Sequence, residues 1–335
     1  MPDSLIDLAV VVAALPDAAM AVDALGFVTA ANDGAHDLFD MDLAGRHLSS
    51  VLRAPDVLEA VQRAAQGQPA TVTFERRIPA PRSIAAHVAP LPGQRVLVVL
   101  KDLTREQQIE QMRADFVANA SHELRTPLAS VLGFVETMLG AAKNDEAARG
   151  KFLVLMKAQA ERMKRLIDDL LSLSRIEMNE HVRPDAEVDL AQAASHVSDV
   201  LQGMAMQNGT ELVLDLPAPL PVAGDWDELL QVVHNLIENA LKYAGGKPVE
   251  IAGRLKDGYA ELAVRDQGPG IAAQHIPRLT ERFYRVSAQE SRSKGGTGLG
   301  LAIVKHILNR HRGRLVVTSE LGHGSTFTIR IPQKK

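Results

Sequence analysis

The chain has 335 residues, with 37 Lys and Arg against 41 Asp and Glu, giving a formal net charge of −4. Hydrophobic residues make up 46% and charged residues 23%, a globular balance that excludes wholesale disorder, and the length predicts two or three domains. The near-neutral charge argues against nucleic acid as a partner, and the absence of cysteine excludes disulfides, thiolate metal sites and a thiol nucleophile. No segment reads as membrane-spanning: the best stretch, 5 to 22, is broken by Asp7, Pro16 and Asp17. The expected product is soluble and cytoplasmic. The cytoplasmic part of a membrane protein with its anchor elsewhere would read the same way.

Residues 13 to 100 alternate short apolar runs with turn signals. AMAVDALGFVTAAN predicts two strands around a turn at Asp23 to Gly26. ANDGAHDLFD begins a helix, and VLEAVQRAAQG is a second that ends at Gly67. TVTFERRI, SIAAHVAPL and RVLVVLKDL predict three more strands, the first two separated by Pro79 and Pro81. This order describes a small α+β module. His36, His47 and His87 are scattered singly and read as surface or packing residues rather than ligands.

From Lys101 the periodicity becomes helical. Ile109, Met112, Phe116, Ala120, Leu124, Leu128, Val131, Val135 and Met138 form one apolar stripe. After a polar break over 141 to 150, Phe152, Met156, Gln159, Met163, Leu166, Leu170 and Leu173 recur at heptad spacing. Two long amphipathic helices in a hairpin expose more apolar stripe than they cover, so a dimeric four-helix bundle is the natural closure. Packing onto another domain of the chain is the alternative.

Residues 185 to 332 form a third block. Strands at ELVLDL, VEIAGRL, YAELAVRD, RLVVTS and STFTIRI interleave with helices at VDLAQAASHVSDVLQGMAM, WDELLQVVHNLIENALKYA and GLGLAIVKHILNRH. This predicts an α/β sandwich with helices on one sheet face.

Candidate chemistry follows from helix geometry. His122 lies about 200° from Leu124, so it points away from the apolar stripe, and Thr126 sits about 40° and 6 Å further along the same face. An exposed imidazole beside the carboxylate of Glu123 is a plausible nucleophile, and a plain solvated face is the alternative. Pro127 is unusual inside a helix. Asn235, Asn239 and Lys242 share a helix face suited to a magnesium-bound triphosphate. Asp266 ends a strand before Gly268 and Gly270. Gly295, Gly296, Gly298 and Gly300 precede a helix and offer amides to phosphates, without the dinucleotide or P-loop pattern.

Together and in order, SHELRTPL, NLIENALKYA, DQGPG, RFYR, GGTGLGL and GHGSTF resemble the boxes of two-component sensor histidine kinases, over Arg105 to Pro332. FVANASHELRTPLASVLGFVETML is most similar to phosphate-regulon sensor kinases. ANDGAHDLFDMDLAGRHLSSVL resembles a PAS domain, less specifically. The resemblance implies a multidomain chain: a PAS-like sensor at 1–100, a dimerisation and phosphotransfer hairpin at 101–180, and a GHKL-type ATP-binding domain at 185–335.

The resemblance also assigns roles. His122 is the phosphoacceptor, Glu123 the adjacent acid, and Thr126 the residue linked to dephosphorylating the partner. Asn235 is the magnesium ligand, and Asn239 and Lys242 face the phosphates. Tyr243 lines the adenine site, and Asp266 accepts from the adenine amino group. Gly268 and Gly270 shape the adenine loop. Gly296, Gly298, Leu299 and Gly300 belong to the lid, with Phe283 in the segment that moves with it. Ser287 stands where relatives usually carry aspartate, a change outside the catalytic boxes. The implied activity is protein histidine kinase, using ATP and Mg²⁺, with a homodimer, a response-regulator receiver and phosphatase activity toward it. A catalytically silent signalling scaffold of the same fold is the competing reading.

Overall fold

The computed structural model describes residues 7–76, 81–179, 181–217, 219–287 and 296–334. Pro79 and Gly295 lie outside the described residues. The chain divides into two compact units, Met1–Val117 and Ala118–Lys335.

The first unit opens with a short helix, α1 (Leu8–Ala13), that the turn-and-strand reading did not anticipate. Then come β1 (Ala18–Val22), β2 (Val28–Ala31), α2 (Asp33–Phe39), α3 (Leu48–Val51) and α4 (Pro55–Ala65). β3 (Ala70–Arg76), β4 (Arg82–Leu91) and β5 (Arg95–Asp102) complete an antiparallel sheet of order β2-β1-β5-β4-β3. Asn32 caps α2 by accepting from the Ala35 amide, as an Asn before an apolar helix should. Phe39, Leu48, Leu52, Val57 and Val61 pack with Met20, Ile84, Val98 and Leu100 into one core. His87 meets the Thr71 hydroxyl, His47 meets Ser49 and the Phe27 edge, and His36 meets the Met41 carbonyl.

α5 (Thr104–Leu139) runs through Pro127, and α6 (Glu146–Met178) follows. The polar break is shorter than the sequence suggests. Asp145 accepts from the Ala148 amide and starts α6 within the stretch read as loop, because this cap is followed at once by the good helix formers Glu146, Ala147, Ala148 and Arg149. Phe134 stacks on Phe152 across the hairpin at 5.6 Å. Leu166 and Leu173 of the heptad seam are buried, as is Ile176. Leu128 of the first stripe stays 49% exposed, and Leu132, Leu153, Val154, Ile167 and Leu171 are 45–69% exposed.

The remainder comprises β6 (Glu187–Asp189), α7 (Leu190–Gln207), β7 (Leu212–Asp215), β8 (Pro221–Ala223), α8 (Trp226–Tyr243), β9 (Val249–Lys256), β10 (Tyr259–Asp266), a 3₁₀ turn (Ala273–Arg278), α9 (Gly300–Arg310), β11 (Arg314–Glu320) and β12 (Gly324–Pro332). The main sheet has the order β11-β12-β10-β9-β7, with β7 parallel to β9 and the rest antiparallel. α7, α8 and α9 pack on it. β6 and β8 pair separately, a ribbon too short to show as periodicity. Asp189 ends it by accepting from both the Ala191 and Leu220 amides.

Candidate functional site

α8 supplies the polar wall of a cavity of about 370 Å³. Leu229, Val232, Val233, Leu236, Ile237, Ala240 and Leu241 face the core at helical spacing. That leaves His234, Asn235, Glu238, Asn239, Lys242 and Tyr243 toward the cavity. Each buried Leu, Ile or Val on the inner face contributes about 1.5–3 kcal/mol, which fixes the helix and hence the outward groups. Asp225 caps α8 by accepting from the Glu228 amide at 3.1 Å.

Lys242 Nζ lies 2.8 Å from Glu238 Oε2, both largely covered. Among the described residues nothing pairs with the buried Asn235 Nδ2. Its Oδ1 abuts Gly300, where an added Cβ would stand 3.0 Å away. An unanswered buried carboxamide at a cavity wall suits an incoming polar ligand.

Asp266 closes the far end. It is 4% exposed, and its Oδ1 accepts from the Gly268 amide at 2.8 Å. Burial pushes its carboxyl up, against the pull of the Gly268 and Ser325 amides. Gly270 also lines the cavity, whereas Gly268 sits behind it against the Tyr243 carbonyl. Gly296, Gly298 and Gly300 reach the wall. Leu299 does not: its side chain is wholly buried in the core, so only its backbone borders the loop. Gly298 has φ +76° and crowds Phe283, itself at φ +62°, an arrangement pinned by the Phe283 amide donating to the Gly298 carbonyl at 2.8 Å. A phenylalanine held there is locally strained. Ser287 lines the same cavity.

His122 stands outside this cavity, exposed on α5 as its helical angle predicts. The Thr126 hydroxyl donates to the His122 carbonyl at 3.2 Å. Glu123 points inward instead. It pairs with Arg162 of α6 at 3.0 Å and with Arg285, whose Nη2 lies 3.0 Å away. Arg285 also donates to the Thr297 carbonyl, and the Thr297 hydroxyl donates to Asp169 of α6 at 2.8 Å. Burial pushes the Asp169 carboxyl up, the Thr297 bond opposes this, and Glu238 adds to it.

Sequence reasoning missed Arg162, Asp169, Arg285 and Thr297. Arg285 ends the RFYR stretch, and Asp169 is the second of two carboxylates beside the heptad seam. Both were visible as charged residues without visible partners.

A five-stranded sheet thus carries a polar cavity beside a helical hairpin with an exposed histidine. Residues 224–335 match the histidine kinase-, DNA gyrase B- and HSP90-like ATPase family, 112–179 the His Kinase A phospho-acceptor domain, and 12–108 the PAS fold. The chain belongs to the sensor histidine kinases, and its enzyme class is protein histidine kinase. It is 35% identical over 324 residues to the phosphate regulon sensor protein PhoR of Pseudomonas aeruginosa, covering 94% of this chain and 72% of that protein. It is 38% identical over 239 residues to the sensor-like histidine kinase SenX3 of Mycolicibacterium smegmatis, covering 71% of this chain and 62% of that protein. Both relatives are therefore longer than this chain. The histidine kinase ThkA, solved in complex with the response regulator TrrA, shares the fold at 18% identity and a TM-score of 0.53, with 96% of each chain covered. Among the described residues no helix is long and apolar enough to cross a membrane.

Proposed function

We propose that the chain phosphorylates its own His122 from ATP and passes the phosphoryl group to an aspartate of a response-regulator receiver, in a phosphate-starvation system. The observation that carries this reading is the division of labour within one unit. An exposed histidine with an adjacent carboxylate sits on the hairpin, and a separate cavity lined by Asn235, Asn239, Lys242 and Asp266 sits in the sheet domain. Such a division requires the hairpin to meet two partners in turn, the nucleotide and the receiver.

In the proposed reaction an imidazole nitrogen of His122 attacks the γ-phosphorus of ATP. A P–N bond forms, the bond from γ-phosphorus to the bridging oxygen breaks, and ADP leaves with that oxygen. Glu123 orients the ring and takes its proton. Asp266 accepts from the adenine amino group, Tyr243 lines that end, and Lys242 and Asn239 face the phosphates. Gly270, Gly296, Gly298 and Gly300 leave room for the nucleotide against backbone, and Gly268 shapes the adenine loop from behind the cavity. Asn235 would hold Mg²⁺ through Oδ1, the ion would supply neutralisation of phosphate charge, and the unanswered Nδ2 would donate to a phosphate oxygen. Thr126 orients a water against the phosphorylated receiver, which gives phosphatase activity.

The working domains in this reading are a PAS-like sensor at 1–100, the hairpin at 101–180 and the catalytic domain at 185–335. The exposed Leu128, Leu132, Leu153, Val154, Ile167 and Leu171 support a homodimer through the hairpin. ATP and a receiver as substrates place the proposed activity in the cytoplasm.

Incubation with γ-labelled ATP, alone and with a phosphorylated receiver, tests the reading. His122→Gln is expected to abolish incorporation while nucleotide binding survives. Labelling of that variant at the wild-type rate refutes His122 as nucleophile.

A further inference from the structure

Two carboxylates of the hairpin reach one short region of the sheet domain. Glu123 on α5 takes Arg285, and Asp169 on α6 takes the Thr297 hydroxyl. Arg285 and Thr297 are themselves joined, guanidinium to carbonyl at 2.9 Å, so the contacts form a closed set. Asp169 also lines the cavity, within the electrostatic reach of Lys242 and Glu238. A carboxylate in that place offers what a phosphate offers: an anionic oxygen that accepts from a hydroxyl in the field of a lysine. A triphosphate laid along Asn235, Asn239 and Lys242 brings its own anionic oxygens to the same wall. Like charges at contact distance in a partly buried site repel strongly.

We propose that Asp169 is an internal competitor for nucleotide phosphate. Bonded to Thr297, it holds the hairpin on the cavity in a resting arrangement that ATP must displace. This rests on the reading of the cavity as the ATP site. The same arrangement ties Glu123 to Arg162 and Arg285, two cations that engage the carboxylate assigned to His122. Displacing Asp169 from Thr297 therefore loosens the set that holds Glu123, and nucleotide entry and activation of the histidine become one event.

The test is the affinity of the full chain for a non-hydrolysable ATP analogue with Mg²⁺, measured by calorimetry. Asp169→Ala is expected to tighten binding about fivefold or more, the lower end of ordinary coupling between two ligands of one site. Asp169→Asn, which keeps the shape of the helix face, moves the same way. Glu161→Gln on α6 removes an equal charge from an exposed side chain paired with Lys157, and should leave the affinity unchanged. In labelling assays Asp169→Ala lowers KM for ATP more than it changes kcat, which a structural defect would not do. Wild-type binding with unchanged or weaker affinity in both Asp169 variants overturns the competitor. Tightening by Glu161→Gln to the same extent also overturns it, because bulk charge then explains the effect. Failure of wild type and every variant to bind nucleotide removes the ATP-site reading, and the competitor with it. Circular dichroism confirms that each variant is folded.

Discussion

Each unit contains a sheet of five strands with helices packed on it, and the two sheets differ in what they bury. Among the described residues the N-terminal core contains one buried polar residue, Asn32, whereas the C-terminal domain buries Ser198, Thr210, Glu261, Asp266, His311 and Ser325. Burying a polar group costs free energy unless a partner answers it. Asn32 is fully answered: its Oδ1 accepts from Ala19 and Ala35, and its Nδ2 donates to the Leu15 and Asp17 carbonyls. It staples α2 to the start of β1 and to the segment before it. In the C-terminal domain the answers are incomplete: the Thr210 hydroxyl has none away from the cavity, and Asn235 Nδ2 has none at its wall. Satisfied burial thus marks a scaffold, and unsatisfied burial beside a cavity marks a binding site.

The strongest challenge to this contrast is Asp266→Asn. The substituted carboxamide still accepts from the Gly268 amide, so the domain should stay folded. It loses the charged acceptor offered to a nucleotide base, and hydrogen bonds to charged groups are worth about 1.5–3 kcal/mol. Nucleotide affinity is expected to fall about 10- to 100-fold by calorimetry. If affinity holds while stability drops, Asp266 is another Asn32 and the contrast fails.

Asn32→Ala is the converse. It removes four hydrogen bonds and a helix cap, and should cost the N-terminal unit about 2–4 kcal/mol. Hydrogen exchange at β1 and α2 would accelerate, with nucleotide affinity unchanged. A loss of affinity in this variant would mean that the polar staple serves the binding site after all.

These expectations also show where the sequence was legible. The strands of both sheets announce themselves as short apolar runs between turn signals: β4 and β5 lie where SIAAHVAPL and RVLVVLKDL put them. The outward angle of His122 and the common face of Asn235, Asn239 and Lys242 follow from helical geometry alone. Contacts between elements distant in the chain do not. Glu123 and Arg285 are 162 positions apart, and Asp169 and Thr297 are 128 apart, so no local spacing links them. The heptad seam on α6 was readable, yet Leu153, Val154, Ile167 and Leu171 form further exposed apolar surface that a single-seam reading passes over. Leu299, grouped with the nucleotide loop by its motif, turned out to anchor that loop from within the core.

The smallest effect concerns His311, the one fully buried histidine of the C-terminal domain. Its Nε2 accepts from the Asp225 amide at 3.0 Å, and its Nδ1 meets the Ile307 carbonyl at 2.8 Å. The ring is therefore a neutral bridge between the cap of α8 and the end of α9. Burial lowers its pKa; the Ile307 carbonyl and Asp225 raise it, while Arg310 and Arg183 lower it. Glu228 lies 3.8 Å from Nδ1 and is itself engaged by Arg310. With a folded-state pKa below the unfolded value, the unfolded chain binds the proton first as pH falls. The stabilising contribution is thus complete above about pH 6.5 and is lost below it, until the folded pKa is reached. One proton limits the slope to about 1.4 kcal/mol per pH unit. Trp226, the only tryptophan, begins α8 and reports unfolding of this domain by fluorescence. Its urea midpoint should fall between pH 7 and pH 5 in the wild type. His311→Gln lowers stability at pH 7 but removes most of that slope, which separates histidine from the carboxylates titrating at lower pH. An equal slope in both proteins would assign the pH dependence elsewhere and leave His311 a packing residue. Its hydrogen bonds would then be satisfied in either protonation state, which the donor amide of Asp225 makes unfavourable for a protonated ring.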